Sequence, residues 1–157
     1  MSTATSTLIQ TISAEVEFVT FWLDDLYIGV AIDQVQEINR NLNITPAPHA
    51  PACIRGVINL RGEVVTVVDL RAILNLPPAT IGPDTRNVIV RSKNEHVGLL
   101  IDRVAEVVMT RQKSIEPPPA NVGGVDGRFF TGVLKLKEEL LVILDVDEAL
   151  AIDVVES

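Results

Sequence analysis

Apolar positions along the chain fall in runs of about five residues, separated by tight polar turns, which is the pattern of short strands. EVEFVTFWL from Glu15 and YIGVAI from Tyr27 flank an Asp24-Asp25 break and read as a hairpin. DQVQEI from Asp33 reads as a single helical turn, with Asp33 as its N-cap and Gln36 three residues on. GVINL and VVTVVDL, either side of Arg61-Gly62, read as a second hairpin, and LRAIL as a helical turn started by Asp69.

The same order of elements then recurs. At an offset of 76, Gly56, Val57, Leu60, Glu63, Asp69 and Leu74 meet identical residues at Gly132, Val133, Leu136, Glu139, Asp145 and Leu150. At an offset of 69, GVAIDQVQEI from Gly29 lies beside GLLIDRVAEV from Gly98. Ile44, Pro46 and Pro48 are echoed by Ile115, Pro117 and Pro119. Offsets that shift while the order holds mean loops of unequal length joining equivalent elements, so the chain reads as a tandem duplication.

The halves are placed at 15–80 and 86–150, after a polar tail at 1–14 and joined by the Pro- and Gly-bearing NLPPATIGPDTR. Short strands with tight turns predict an all-β fold with short helical turns, built as a small curled barrel in each half. A barrel of this size buries only about 60% of its unfolded surface, so the two must lean on each other. Their contact predicts a groove, apolar inside and polar at its rims.

Composition narrows the function. The chain has 157 residues and a formal charge of -8, with no run of Lys or Arg, so nucleic acid is not an expected partner. Aromatic residues are only 4%, which leaves Val, Ile and Leu to build the core. Gly, Asp or Arg interrupts every apolar run before it reaches membrane-spanning length, and the N-terminus has no basic leader pattern. A single cysteine, Cys53, fits a reducing compartment, and the cytoplasm is the expected location.

Candidate chemistry is sparse. His49 and His96 stand apart from Cys53 and from paired acids, so no metal site is expected. Asp69 and Asp145 hold equivalent places and invite comparison with the paired acids of a two-lobed acid protease. That chemistry needs a small hydroxyl residue and a glycine after each Asp, whereas DLR and DVD follow here. Helix capping is the simpler reading, and no cofactor or catalytic residue is expected.

Arg61-Gly62 raises a different question. The matched turn reads Lys137-Glu138, so the fold does not demand glycine there. Gly62 either supplies a positive φ to a tight hairpin or leaves a bare turn beside a long cation for another protein to approach. Arg55, Arg61 and Arg71 make the first of these hairpins faintly basic, while Glu138, Glu139, Asp145, Asp147 and Glu148 make the second acidic. Opposite rims suit two different partners.

These stretches, GVAIDQVQEI, RGVINLRG followed by VVDLR, and IEPPP with FFTGVLKLKEELLVILDVDEAL, resemble the coupling proteins of bacterial chemotaxis, the CheW family. The likeness runs from Phe18 to Leu150. It implies a fold of two similar five-stranded SH3-like β-barrels and a non-enzymatic adaptor in the cytoplasm, recruited to membrane-associated arrays, whose partners are the cytoplasmic tip of chemoreceptors and the regulatory domain of a CheA-type histidine kinase. It further implies that the receptor hairpin lies in the groove between the barrels, against Val35, Glu37, Ile38, Arg61 and Gly62, with Arg55 and Gly56 at the start of the same hairpin and Val104 and Val107 from the other half. Apolar contacts would give affinity there, and Arg61 and Glu37 register. The other readings are a scaffold or regulatory module of a system controlling pilus motility or gene expression, and a hydrolase using Asp69 and Asp145.

Overall fold

The structure is a computed structural model and describes residues 14–151, so the expected tail, apart from Ala14, lies outside the described residues. The strands are β1 (Glu15–Leu23), β2 (Leu26–Ala31), β3 (Val35–Asn39), β4 (Ile54–Leu60), β5 (Glu63–Asp69), β6 (Arg86–Ser92), β7 (Glu95–Ile101), β8 (Arg103–Val104), β9 (Val108–Arg111), β10 (Asn121–Val122), β11 (Val125–Asp126), β12 (Phe130–Lys135) and β13 (Leu140–Leu144). Helical turns at Leu70–Ile73 and Val146–Ala149 follow β5 and β13.

Both expected hairpins form, β1 with β2 and β4 with β5. The Asp33 turn is corrected: a 3-10 turn covers only Ile32–Gln34, its cap is Ala31, and no side chain bonds into it. Extension resumes at Val35 because Val35 and Glu37–Asn39 pair with β6, and a strand ladder satisfies those backbone groups better than a lone turn would. Asp69 and Asp145 are N-caps as read, accepting from the N–H of Arg71 at 3.0 Å and of Glu148 at 3.1 Å.

Two sheets carry the fold. One runs β12-β13-β2-β1, with β8 and β9 both on the far edge of β1, and the other runs β4-β5-β7-β6-β3. A bridge from Thr45 to Val57 and another from Glu116 to Val133 curl each sheet toward closure. The sheets are assembled across the sequence halves. The bounds 15–80 and 86–150 therefore do not coincide with them: the hairpin β1–β2 sits among strands of the later half, and β6–β7 among strands of the earlier.

Burial explains the exchange. Tyr27, Ile28 and Val30 of β2, like Leu99, Leu100 and Ile101 of β7, are all buried, so each strand needs cover on both faces and a neighbour on both edges. The parallel pairs β13–β2 and β5–β7 provide that central place.

Alternation divides the buried residues into three clusters. The largest lies between the sheets and joins Phe21, Leu23, Ile28 and Val30 to Val88, Val90, Leu99 and Ile101. Smaller ones fill the two barrels, with Ile58, Val65, Val67, Ile89 and Leu100 in one and Tyr27, Leu134 and Leu141 in the other. Full burial of each such side chain is worth about 1.5–3 kcal/mol, so most of the hydrophobic stabilisation depends on the sheets staying together.

The repeated glycines mark where loops cross the hairpins. Gly56 has φ 145°, and a Cβ there would stand 2.0 Å from the carbonyl oxygen of Thr45. At Gly132 the nearest atoms are Ile115 Cγ2, 2.6 Å away, and the carbonyl of Glu116 at 2.9 Å. Both sit beside a register shift and admit the proline-bearing loop that bridges to the next residue.

Candidate functional site

Residues directly opposite in neighbouring strands share a face, so pairing shows where each expected side chain points. Val35 is opposite Val90 and Ile38 opposite Val88, both members of the cluster between the sheets. Val104 is opposite Phe21, from the same cluster. Val35, Ile38 and Val104 thus share the inter-sheet side, and Ile38 and Val104 keep 38% and 36% of their surface exposed, leaving an apolar rim. Val107, between β8 and β9, is exposed at 53%.

Glu37 is opposite Ile89 and so turns to the barrel side. There it meets Arg61, which the curl of the sheet brings back from the β4–β5 turn. Asn39 Nδ2 donates to the same carboxylate at 3.2 Å. The hydrogen bond from Arg61, aided by that from Asn39, holds the Glu37 carboxyl below its ordinary pKa. Arg61 is mostly exposed, so the pair adds little stability and serves chiefly to fix where the guanidinium stands.

The turn uses both of its residues for geometry. Arg61 and Gly62 have φ 52° and 85°, the primed hairpin turn, and Asn59 Oδ1 accepts from the Gly62 N–H at 2.8 Å. Nothing stands within 4 Å of a Cβ added to Gly62, so the glycine supplies the turn and leaves open space outside it.

Arg55 and Gly56 fall elsewhere, about 20 Å along β4 from the turn. Gly56 is buried against Thr45, which removes it from any docking surface, because the close approach it permits is that of the chain's own loop. Arg55 is turned to Asp69 at 3.5 Å. Glu106, the repeat partner of Glu37, is exposed, and it is the backbone carbonyl that accepts from Thr20.

Three features were missed from sequence. Met109 is opposite Glu17, on the face that β1 shares with Phe21, and is 58% exposed, extending the rim. Arg103 lies over Trp22, 4.9 Å from its ring centre, and Trp22 stacks on Tyr27 at 4.6 Å. The third is Arg71, read only as surface charge, whose side chain is 9% exposed. It binds Asp102 through Nε and Nη2, Asp24 through Nη2, and the carbonyl of Pro77 at 2.6 Å. The Asp24 N–H completes the cluster by donating to Asp102 at 2.9 Å.

Burial alone would raise the Asp102 carboxyl. Hydrogen bonds from Arg71 and the Asp24 amide, with the charges of Arg71 and Arg103, bring it below its ordinary value instead. A signal for this cluster existed, since offsets of 69 and 76 place Lys93 and Asp147 where Asp24 and Arg71 stand, reversing both charges.

Among the described residues no helix is long and apolar enough to cross a membrane, and no group of three or more His, Cys, Asp or Glu is placed to hold a metal ion. The CheW-like domain model matches residues 17–153. A chemotaxis protein CheW of Rhizobium meliloti (strain 1021) is 35% identical over 133 residues, 83% of this chain and 84% of that one. Protein FrzA of Myxococcus xanthus is 37% identical over 105 residues, 67% of this chain and 66% of that one. The crystal structure of scaffolding protein TtCheW from Thermoanaerobacter tengcongensis superimposes with a TM-score of 0.81 at 31% identity, covering 88% of this chain and 89% of that one.

Proposed function

The chain belongs to the CheW-like domain family of chemotaxis scaffold proteins, and from that premise we propose that it couples the cytoplasmic tips of chemoreceptors to a CheA-type histidine kinase without catalysing a reaction. It works in the cytoplasm and is recruited to membrane-associated receptor arrays. The observation that carries the receptor side is the set of exposed apolar residues Ile38, Val104 and Val107, of which Ile38 and Val104 stand opposite members of the inter-sheet cluster, with the guanidinium of Arg61 fixed on the neighbouring Glu37. An amphipathic helical hairpin fits such a surface: its apolar face covers the rim, and a carboxylate on its flank reaches Arg61. Val35 lies deeper and supports the rim from the core.

Arg61→Glu is expected to leave the fold intact and to abolish co-sedimentation with receptor and kinase arrays. The exchange Glu37→Arg with Arg61→Glu restores the internal pair yet removes the cation from its place, so co-sedimentation stays lost if Arg61 faces the receptor. Recovery of assembly in that double variant, or normal assembly of the single one, would remove Arg61 from the site.

The match to a protein carrying a different name, FrzA, beside those called chemotaxis protein CheW keeps a second reading, a scaffold or regulatory module of a chemosensory system controlling pilus motility or gene expression. A pull-down from native cells with partners identified by mass separates the two, through the receptor and kinase that are recovered.

A further inference from the structure

The exchange of hairpins is reciprocal: β1–β2 stands among strands of the later half and β6–β7 among strands of the earlier. Two like units that trade the same element are related by an approximate half-turn. Register agrees with this at the docking surface. Val35 stands opposite Val90, and their counterparts at an offset of 69, Val104 and Phe21, stand opposite each other. Asn39 is opposite Asn87, and their counterparts Val108 and Phe18 are likewise paired. Val35 and Ile38 are thus repeated, place for place, by Val104 and Val107.

A surface that repeats itself in this way meets a difficulty with a helical hairpin, whose two antiparallel helices also exchange places under a half-turn. Apolar contacts alone accept the hairpin either way round. Charge has to choose between the two.

The matched charges differ. Glu37 is closed, its carboxylate held by Arg61 and by Asn39 at 3.2 Å. In the other half Val108 stands in place of Asn39, Lys137 in place of Arg61 and Glu138 in place of Gly62. Glu106 is exposed, and among the described residues its side chain has no hydrogen bond or ion pair. Its backbone is nonetheless fixed: the Ala105 N–H donates to the Thr20 carbonyl at 2.9 Å, and Thr20 Oγ1 donates to the Glu106 carbonyl. One flank therefore offers a held guanidinium, and the other an open carboxylate on a held backbone.

Resting on the receptor reading above, we propose that Glu106 decides which way round the receptor hairpin lies, by taking a Lys or Arg side chain from one helix while Arg61 takes a carboxylate from the other. Turned about, the hairpin sets its carboxylate against Glu106 and its cation against Arg61, and like charges repel at both flanks. Glu106 adds orientation to the affinity that the apolar strips supply.

The test measures binding of the full chain to membranes carrying a chemoreceptor from the same cells, without kinase and against receptor-free membranes, beside the unfolding midpoint. Glu106→Arg is expected to weaken binding about tenfold with its midpoint unchanged. Combining Glu106→Arg with Arg61→Glu reverses both flanks, so the hairpin fits the other way round and binding returns, although Arg61→Glu alone abolishes it. Normal binding by Glu106→Arg, or a double variant that binds no better than Arg61→Glu alone, overturns the orienting role while leaving the receptor reading in place. Failure of the native chain to bind, or normal binding by Arg61→Glu, overturns the receptor reading and the role of Glu106 with it.

Discussion

Arg71→Ala is expected to destabilise the protein by about 2–3 kcal/mol, the cost of losing charge-assisted hydrogen bonds in a cluster whose acids, 45% and 29% exposed, stay partly screened by water. The side chain runs from the turn after β5, in one sheet, to Asp24 in the β1–β2 turn of the other and to Asp102 after β7. Without it, Asp102 keeps its partial burial and loses its main counter-charge. The urea midpoint should fall with little change in slope. Replacing Arg71 by Met together with Asp102→Leu and Asp24→Asn should recover most of the loss, because removing all the charges avoids the penalty of a stranded one.

The pH dependence follows from Asp102, whose pKa is lowered in the folded protein. Its contribution is complete above the unfolded carboxyl value of about 4 and is lost as pH falls through the lower folded value. The stability gap between the native protein and Arg71→Ala should therefore be wide at pH 6 and narrow on acidification. A gap that stays constant down to pH 2 would show that the cluster is not ionic in effect.

Gly56→Ala is expected to cost about 2–5 kcal/mol, combining a backbone conformation that L residues avoid with a forced shift of the crossing loop. The shift cannot be small. The obstructing atom is the Thr45 carbonyl oxygen, which accepts from the Val57 N–H at 2.9 Å while the Thr45 N–H donates to Val57 at 2.8 Å. Gly62→Ala meets open space and should cost only about 1 kcal/mol, from the positive φ alone. Denaturation of the two variants side by side checks this; equal losses would mean that the Thr45 crossing yields freely.

Much of the architecture was legible because the repeat preserves residues with narrow geometric duties. Asp69 and Asp145 cap their turns, Gly56 and Gly132 admit their loops, and each hairpin is bounded by its polar break. Sheet membership was not legible, because hydropathy shows that β2 and β7 are covered on both faces but not which strands cover them. The Asp33 turn was misread for a related reason: DQVQ satisfies a capping pattern locally, and the strand partner of the segment that follows lies some fifty residues away in β6. Within the site, Glu37 and Arg61 were each read as facing a partner, and their pairing with each other was not legible because it depends on the curl that brings the β4–β5 turn back to β3. Arg71 was passed over because its importance rests on two acids from distant turns.

The borrowed hairpins decide whether either half can fold by itself. A single half, made as a free polypeptide, would close its barrel only by trading hairpins with another copy, as a domain-swapped homodimer whose folding depends on concentration. Joining the halves through the residues between Leu74 and Arg86 makes that step intramolecular and independent of concentration.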